Sequence, residues 1–283
     1  MATGLFFLAL SILSMTAFGL IMKFSQEKGH SVLSVGATNY IVAAVTASLF
    51  MSPRQLAAVR PGLWWLSAAG GLGYLATYLL LAYALRRRGI AVPMAATQVA
   101  MALPVILSVW VWHERPNLLQ VVGIALSVLA ILLLAPHNPG PVRLPWWACL
   151  VVPGIFVLSG GTRVAQKALT EIAPTSQQPA LALLWFGAAG LASLAMYGFT
   201  GLPASPGEWA TGACLGWVNL GSLVFFLRAL KLIPGVVAFP AASCLSLALT
   251  SAAAVLVWRE SLGRRGAFGI LAALIAATLV RAG

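Results

Sequence analysis

The sequence predicts an all-α polytopic membrane protein with ten transmembrane helices arranged as a 5+5 inverted repeat. The composition is very apolar, the apolar residues form ten long segments, and the two halves of the chain match each other in order. Of the 283 residues, 61% are hydrophobic and 8% are charged, whereas roughly 25% of the residues in a soluble domain are charged. A bilayer-spanning bundle can expose so much apolar surface to lipid, and a soluble fold cannot.

The charge balance points to a lipid bilayer as a partner. The chain has 17 Lys and Arg against 5 Asp and Glu, an excess that would suggest nucleic acid in a soluble protein. Here the basic residues lie between apolar segments, where lipid head groups explain them better, so no nucleic-acid partner is expected. No metal or cofactor is expected either, because the three cysteines lack metal-site spacing; they are Cys149, Cys214 and Cys244.

The ten apolar segments are the predicted spans, since a helix needs about 20 apolar residues to cross the hydrocarbon core. The proline-rich stretch between the fifth and sixth segments is the best boundary. It divides the chain into a first five-helix repeat (1–136), a linker (137–144) and a second repeat (145–283). The predicted spans are Thr3–Met22, Leu33–Met51, Leu63–Leu85, Ile90–Trp112, Leu118–Ala135, Leu144–Gly161, Pro179–Phe199, Trp209–Leu230, Gly235–Trp258 and Gly266–Val280.

The two halves carry matching residues at a nearly constant offset. Lys23 and Glu27 match Lys167 and Glu171, and the Val-Trp-His-Glu sequence that ends at Glu114 matches a later Val-Trp-Arg-Glu. Five helices per half is an odd number, so the second half would enter the membrane from the opposite side, as in many secondary transporters. The basic residues divide almost evenly between the two sides, which leaves the orientation open.

These features resemble the drug/metabolite transporter superfamily, and in particular its EamA-type ten-helix members. The resemblance implies a central cavity lined by the first four helices of each half, with the fifth and tenth helices peripheral. It also implies cytoplasmic termini and a bacterial cytoplasmic (inner) membrane. The residues that carry it are the Trp-x-Glu helix ends, each followed nine residues later by a glycine, and a lysine after the first helix of each half: Trp112, Glu114, Gly123, Trp258, Glu260, Gly269, Lys23 and Lys167.

The predicted substrate site consists of polar and aromatic residues inside the spans. All five acidic residues fall in loops or at helix ends, which disfavours a cationic-drug exporter that relies on a buried carboxylate. Serines could instead bond to their own helix, amides could join helices, aromatic rings could face lipid, and Arg163 could extend to the interface. The candidates are Ser14, Asn39, Tyr74, Tyr78, Gln98, Arg163, Trp185, Trp217, Asn219 and Ser243.

The sequence therefore predicts a secondary transporter that works by alternating access, as a monomer or homodimer. Its expected substrate is a small neutral, zwitterionic or weakly anionic metabolite such as an amino acid, with export favoured over import. The alternatives are a translocator of a lipid or lipid-linked sugar and a cationic-drug exporter. An intramembrane enzyme is the least favoured, since the chain has no His-Glu-x-x-His, Gly-x-Ser-x-Gly or membrane aspartate pair.

Overall fold

The computed structural model describes residues 2–86, 96–135, 148–199, 203–259 and 263–283, and within these ranges the regular secondary structure is helical throughout. A short 3-10 helix, Thr175–Gln177, directly precedes α8. The α-helices are α1 (Ala2–Glu27), α2 (Val32–Leu49), α3 (Pro53–Ala57), α4 (Pro61–Arg86), α5 (Ala102–Trp110), α6 (Leu118–Leu134), α7 (Ala148–Ile172), α8 (Gln178–Gly198), α9 (Pro206–Leu230), α10 (Gly235–Trp258) and α11 (Arg264–Ala282).

Six helical segments in the described ranges are long and apolar enough to cross a bilayer. They are α1, α2, α8 with its preceding 3-10 turn, α9, α10 and α11. The apolar helices Ala96–Trp110, which contains α5, and Leu118–Leu134 are shorter. The prediction of an all-α multi-pass membrane protein is confirmed, and the count of ten spans stays a prediction.

Two helices extend past the ends predicted from hydropathy. The helix α1 ends at Glu27 instead of Met22, and α7 ends at Ile172 instead of Gly161. The polar residues that follow Gly161 lower the hydropathy, but several are buried in the folded chain: Thr162, Gln166 and Lys167 are 5%, 6% and 2% exposed. Because hydropathy measures affinity for lipid, it misses a polar helix face that protein covers.

The break predicted at Ser52-Pro53-Arg54 contains the short helix α3. The Ser52 hydroxyl accepts the Gln55 N–H at 3.3 Å, and the Gln55 side-chain oxygen accepts the Ser52 N–H at 2.9 Å. This capping box, with Pro53 in the first helical position, starts the helix. The same reciprocal pattern starts α6 and α9, with Asn117 and Ser205 as the capping residues.

The chain separates into two compact units, and neither is one of the predicted halves. The first unit contains Met1–Leu75 and Ala165–Leu232, and the second contains Ala76–Val164 and Ile233–Gly283. Each unit thus combines helices from the beginning and the end of the sequence, and both α4 and α7 contribute to the two units. The predicted repeats 1–136 and 145–283 remain a prediction.

In the first unit, α9 packs against α1 and α2, and α2 also packs against α8. Two glycines on α9 permit this close packing. A Cβ on Gly212 would lie 2.6 Å from the Thr38 Cβ, and one on Gly216 would lie 2.6 Å from the Asn39 carbonyl oxygen. Both separations are too short for carbon, so the α2–α9 crossing requires glycine at these positions.

In the second unit, α11 packs against α6 and α10. A Cβ on Gly123 would lie 2.6 Å from a Val280 methyl carbon, and one on Gly269 would lie 2.8 Å from the Leu134 Cγ. Gly123 therefore packs against Val280, and Gly269 packs against Leu134, across this helix pair.

Two residues at matched positions share an unusual backbone conformation. His113 (φ 55°) and Arg259 (φ 54°) are the non-glycine residues with positive φ in the described ranges, and both immediately precede the glutamate of the repeated tetrapeptide. The Glu114 carboxylate accepts the N–H groups of Gly235 and Val236 at 2.9 and 2.8 Å, which caps the start of α10. Glu260 lies outside the described residues. This shared positive φ agrees with the predicted duplication.

Candidate substrate-binding site

The two units divide the ten predicted site residues into a first and a second group. The second group is built around a charge and the first around neutral amides, hydroxyls and rings. In the first unit lie Ser14, Asn39, Tyr74, Trp185, Trp217 and Asn219; in the second lie Tyr78, Gln98, Arg163 and Ser243.

The second unit contains a cluster of hydrogen bonds centred on the half-buried guanidinium of Arg163. Its Nη1 donates to the Ser243 hydroxyl at 2.5 Å, and its Nη2 donates to the Thr97 carbonyl oxygen at 3.2 Å and to the Gln98 side-chain oxygen at 3.3 Å. We call Thr97, Gln98, Arg163 and Ser243 the Arg163 cluster. It joins α7, the helical turn before α5, and α10.

Arg163 lies well inside α7. The sequence had instead suggested a position at a helix end, because the sixth predicted span ends at Gly161. Arg163 follows Ala148 by fifteen residues and precedes Ile172 by nine. At a rise of 1.5 Å per residue, it lies about 22 Å from one helix end and about 14 Å from the other. A charged side chain at such a depth is costly in a membrane and usually faces protein or a watery cavity. The contacts of Arg163 with Ser243 and Gln98 agree with this rule.

The chemistry of the Arg163 cluster suits an anionic oxygen group. Guanidinium is always ionised and presents a planar set of five N–H donors that matches a carboxylate. Its hydrogen bonds are accepted by three oxygens, one each from Ser243, Thr97 and Gln98, and all three oxygens are neutral. They hold the plane of the group in place. Tyr78 belongs to the same unit and is 8% exposed.

In the first unit, Asn39 and Asn219 bond to each other. The Asn219 Nδ2 donates to the Asn39 Oδ1 at 3.3 Å, and the two residues are 3% and 1% exposed. This bond lies at the α2–α9 crossing, where Gly216 approaches the Asn39 carbonyl oxygen. This geometry favours the alternative in which the two amides join helices.

Trp185 and Tyr74 meet in a buried aromatic cluster. Trp185 is 1% exposed, and its ring lies 5.8 Å from that of Tyr74 at an interplanar angle of 77°. Phe186 contacts Tyr74 edge-on at 6.5 Å and stacks on Tyr40 at 6.4 Å. Such arrangements stabilise a protein interior. The cluster therefore holds α2, α4 and α8 together in this structure.

The two remaining candidates of the first unit lie apart from these groups. Trp217 is 59% exposed, although Asn219 and Ser222 on the same helix are buried. The Ser14 hydroxyl donates to the Leu10 carbonyl oxygen of its own helix at 2.9 Å, as serines in membrane helices often do.

The sequence interpretation did not include Thr97 among the candidates. Thr97 contributes its backbone carbonyl oxygen to Arg163, and every residue has such a group. A backbone acceptor leaves no signature in the residue type, so only the fold could reveal it.

The fold and the apolar helices define this protein as a multi-pass α-helical membrane protein. Residues 2–135, just under half of the chain, match the model of the EamA-like transporter family, and this match confirms the predicted resemblance. The protein is accordingly a membrane transporter of the drug/metabolite type, with a small-molecule substrate and a lipid bilayer as its surroundings. Members of the family are transporters and not enzymes.

Solved structures share this fold. Twenty-eight solved chains match, and one of them, described as "Crystal structure of protein", is 16% identical and superposes with a TM-score of 0.75. The match covers 98% of this chain and 96% of that chain, so the likeness in fold extends over the whole protein. No curated protein matches the sequence.

Proposed function

We propose that this protein is a secondary transporter of a small, zwitterionic or weakly anionic metabolite that carries a carboxylate, such as an amino acid. The observation that carries the proposal is the Arg163 cluster. Its guanidinium lies deep inside α7 and donates hydrogen bonds to neutral oxygens of Ser243, Thr97 and Gln98. A substrate carboxylate would match both the charge and the planar donors of this guanidinium. A cationic substrate would be repelled by the same group.

In this proposal the chain crosses the bacterial cytoplasmic membrane ten times, as two inverted five-helix repeats, and exports its substrate by alternating access. The repeats are 1–136 and 145–283, joined by 137–144. The matched positive φ angles of His113 and Arg259 support this arrangement, since halves that fold alike can exchange conformations to face either side of the membrane.

The test begins with a thermal-shift screen of purified protein against small metabolites, because a ligand that binds only the folded state raises stability. Hits are then measured as flux in proteoliposomes, each beside its carboxamide analogue. Arg163→Gln should reduce the flux of the carboxylate by about ten- to a hundredfold, because a hydrogen bond to a charged group contributes about 1.5–3 kcal/mol and each 1.36 kcal/mol is tenfold. The carboxamide should be a poor substrate from the outset.

Arg265→Gln is the matched control in the same unit. Arg265 is an exposed arginine that donates to the Leu132 carbonyl oxygen at 2.8 Å, and its loss should leave flux unchanged. Size-exclusion elution confirms that both variants are folded. Equal transport of carboxylate and carboxamide, with Arg163→Gln as active as the native protein, would contradict the proposal.

A further inference from the structure

Between α4 and α8 of the first unit lies a group of buried polar atoms that have no hydrogen-bond partner among the described atoms. They are the Ser67 hydroxyl, the Trp185 indole nitrogen and both amide atoms of Gln178. The three residues are 0%, 1% and 3% exposed. We call Ser67, Gln178 and Trp185 the polar seam.

Three contacts align these two helices side by side in the same direction. Near their beginnings, the Gln177 Nε2 donates to the Ala58 carbonyl oxygen at 3.0 Å. Further along, Trp185 lies against Gly70 and Gly71, and Phe186 then contacts Tyr74. Both chains therefore advance together from the α3 end of the unit.

The members of the polar seam share the facing sides of the two helices. On α4, Ser67 lies one turn before Gly70 and Gly71 and is on their side of the helix. On α8, Gln178 lies two turns before Trp185 and is likewise on its side. The seam thus follows the contact between the helices over about 10 Å, the rise of seven helical residues.

Glycine residues on α4 allow the two helices to approach closely at the end of the seam where Trp185 lies. A Cβ on Gly70 would lie 2.1 Å from the Trp185 Cζ3, and a Cβ on Gly71 would lie 1.9 Å from the Trp185 carbonyl oxygen. Neither position tolerates any side chain while α4 and α8 remain in this contact. The contact is therefore complete only with glycine at both positions.

Protein interiors rarely leave polar atoms without partners, and exceptions call for a physical explanation. Four such atoms along one helix contact are not explained by packing, because serine, glutamine and the indole N–H add nothing to an apolar contact that alanine or phenylalanine would not. They are explained if α4 and α8 separate in another state and water then solvates the seam.

We propose that the α4–α8 contact of the first unit is a closing surface of the transport path. It is shut in this structure, and it opens in another state of the cycle to admit water and the polar groups of the passing solute to Ser67, Gln178 and Trp185. The proposal rests on the transporter function, but not on the identity of the substrate or on the role of Arg163.

The test is the reaction of an introduced cysteine with a membrane-impermeant thiol reagent, measured on purified full-length protein in detergent without any substrate. Ser67→Cys is placed in a background in which Cys149, Cys214 and Cys244 are replaced by alanine. A minor conformation is commonly populated at about 0.1–10%. Adding Gly70→Ala, which blocks closure, should therefore raise the reaction rate of the Ser67→Cys thiol by about tenfold or more.

Two matched controls define the baseline. Gly187→Ala, on α8, places a Cβ where nothing lies within 4 Å, so it should not change the rate. Ser127→Cys replaces a fully buried serine that donates to the Gly123 carbonyl oxygen at 2.9 Å, and it should not react in either background.

If Ser67→Cys does not fold, Ala182→Cys replaces it, because Ala182 is fully buried about one turn before Trp185. The proposal would be overturned if the introduced thiol reacted no faster than the Ser127→Cys thiol, both with native Gly70 and with Gly70→Ala. It would leave the carboxylate assignment untouched, because this assay contains no substrate. Loss of flux in Arg163→Gln, conversely, says nothing about the seam.

Discussion

The two compact units use polar side chains at membrane depth in different ways. In the first unit, Asn39 and Asn219 bond to each other and Ser14 bonds to its own helix. In the second unit, Arg163 is held by three oxygens that are all neutral. A residue type alone thus does not distinguish a binding group from a structural one. The contacts that the side chain makes in the fold are the better guide.

This difference has an energetic basis. Hydrogen bonds between neutral side chains in membrane proteins contribute only about 0.6 kcal/mol on average, so an amide pair can be retained for helix packing alone. A cation at membrane depth costs about 2.5–3.5 kcal/mol or more. This larger cost favours a functional reason for keeping Arg163 inside α7.

The largest expected effect comes from giving the Arg163 cluster its own carboxylate. Gln98→Glu places an anionic oxygen where the Gln98 Oε1 now accepts from the Arg163 Nη2 at 3.3 Å. The new ion pair should compete with the substrate carboxylate and reduce flux by about ten- to a hundredfold, by the energies of charged hydrogen bonds. The thermal unfolding temperature should stay the same or rise. Flux and unfolding are measured on one preparation.

Gln120→Glu serves as the control, since this glutamine belongs to the exposed cap of α6 in the same unit. It adds the same charge without touching Arg163. If Arg163 only supported the fold, Gln98→Glu would retain its flux while gaining stability, and that result would remove the distinction between the two units.

A medium effect, on stability alone, is expected in the first unit. Asn39→Leu and Asn219→Leu should each lower the free energy of unfolding by about 1–3 kcal/mol, because each leaves the other amide buried without its partner. The double variant should cost less than the sum of the two. Unfolding is followed in mixed micelles with increasing denaturing detergent, and flux should remain within about twofold of native, since changes below 0.5 kcal/mol are typical where no contact with substrate is lost.

Ser193→Ala provides the additive reference for this pair of substitutions. Ser193 is 1% exposed in the same unit and donates to the Gly190 carbonyl oxygen of its own helix. Combined with Asn219→Leu, it should show no coupling. A loss of transport in either asparagine variant, without a loss of stability, would assign these amides to the substrate path after all.

The sequence predicted the positions of the helices well, but it predicted the contacts between helices poorly, and the reason is physical. Hydropathy reports the preference of a segment for lipid, and it located α9 and α10 closely. It failed at the end of α7, because Gln166 and Lys167 are covered by protein. The bond between Asn39 and Asn219 joins residues 180 positions apart, and no local pattern encodes such a contact.

The same limit applies to the candidate site. Arg163, Gln98 and Ser243 were all candidates by residue type, but their meeting at one guanidinium depends on three separate helical segments. Ser67 and Gln178 were not candidates, since a buried atom without a partner is recognised only when its surroundings are known. The sequence therefore supplied three of the four members of the Arg163 cluster and missed two of the three members of the polar seam.

The smallest expected effect sharpens the comparison with one chemical change made in both units. Ser14→Ala removes a hydroxyl that bonds to Leu10 of its own helix, and Ser243→Ala removes one that accepts from the Arg163 Nη1. Ser14→Ala should change neither stability nor flux by more than about 0.5 kcal/mol. Ser243→Ala should reduce flux by about tenfold, because the lost acceptor served a charged donor. Initial rates of counterflow with the carboxylate identified by the thermal-shift screen measure both. Equal losses of flux in the two variants would place Ser14 on the substrate path and remove the difference between the two units. A loss in Ser243→Ala alone would show that a serine hydroxyl affects transport only where it orients a charge.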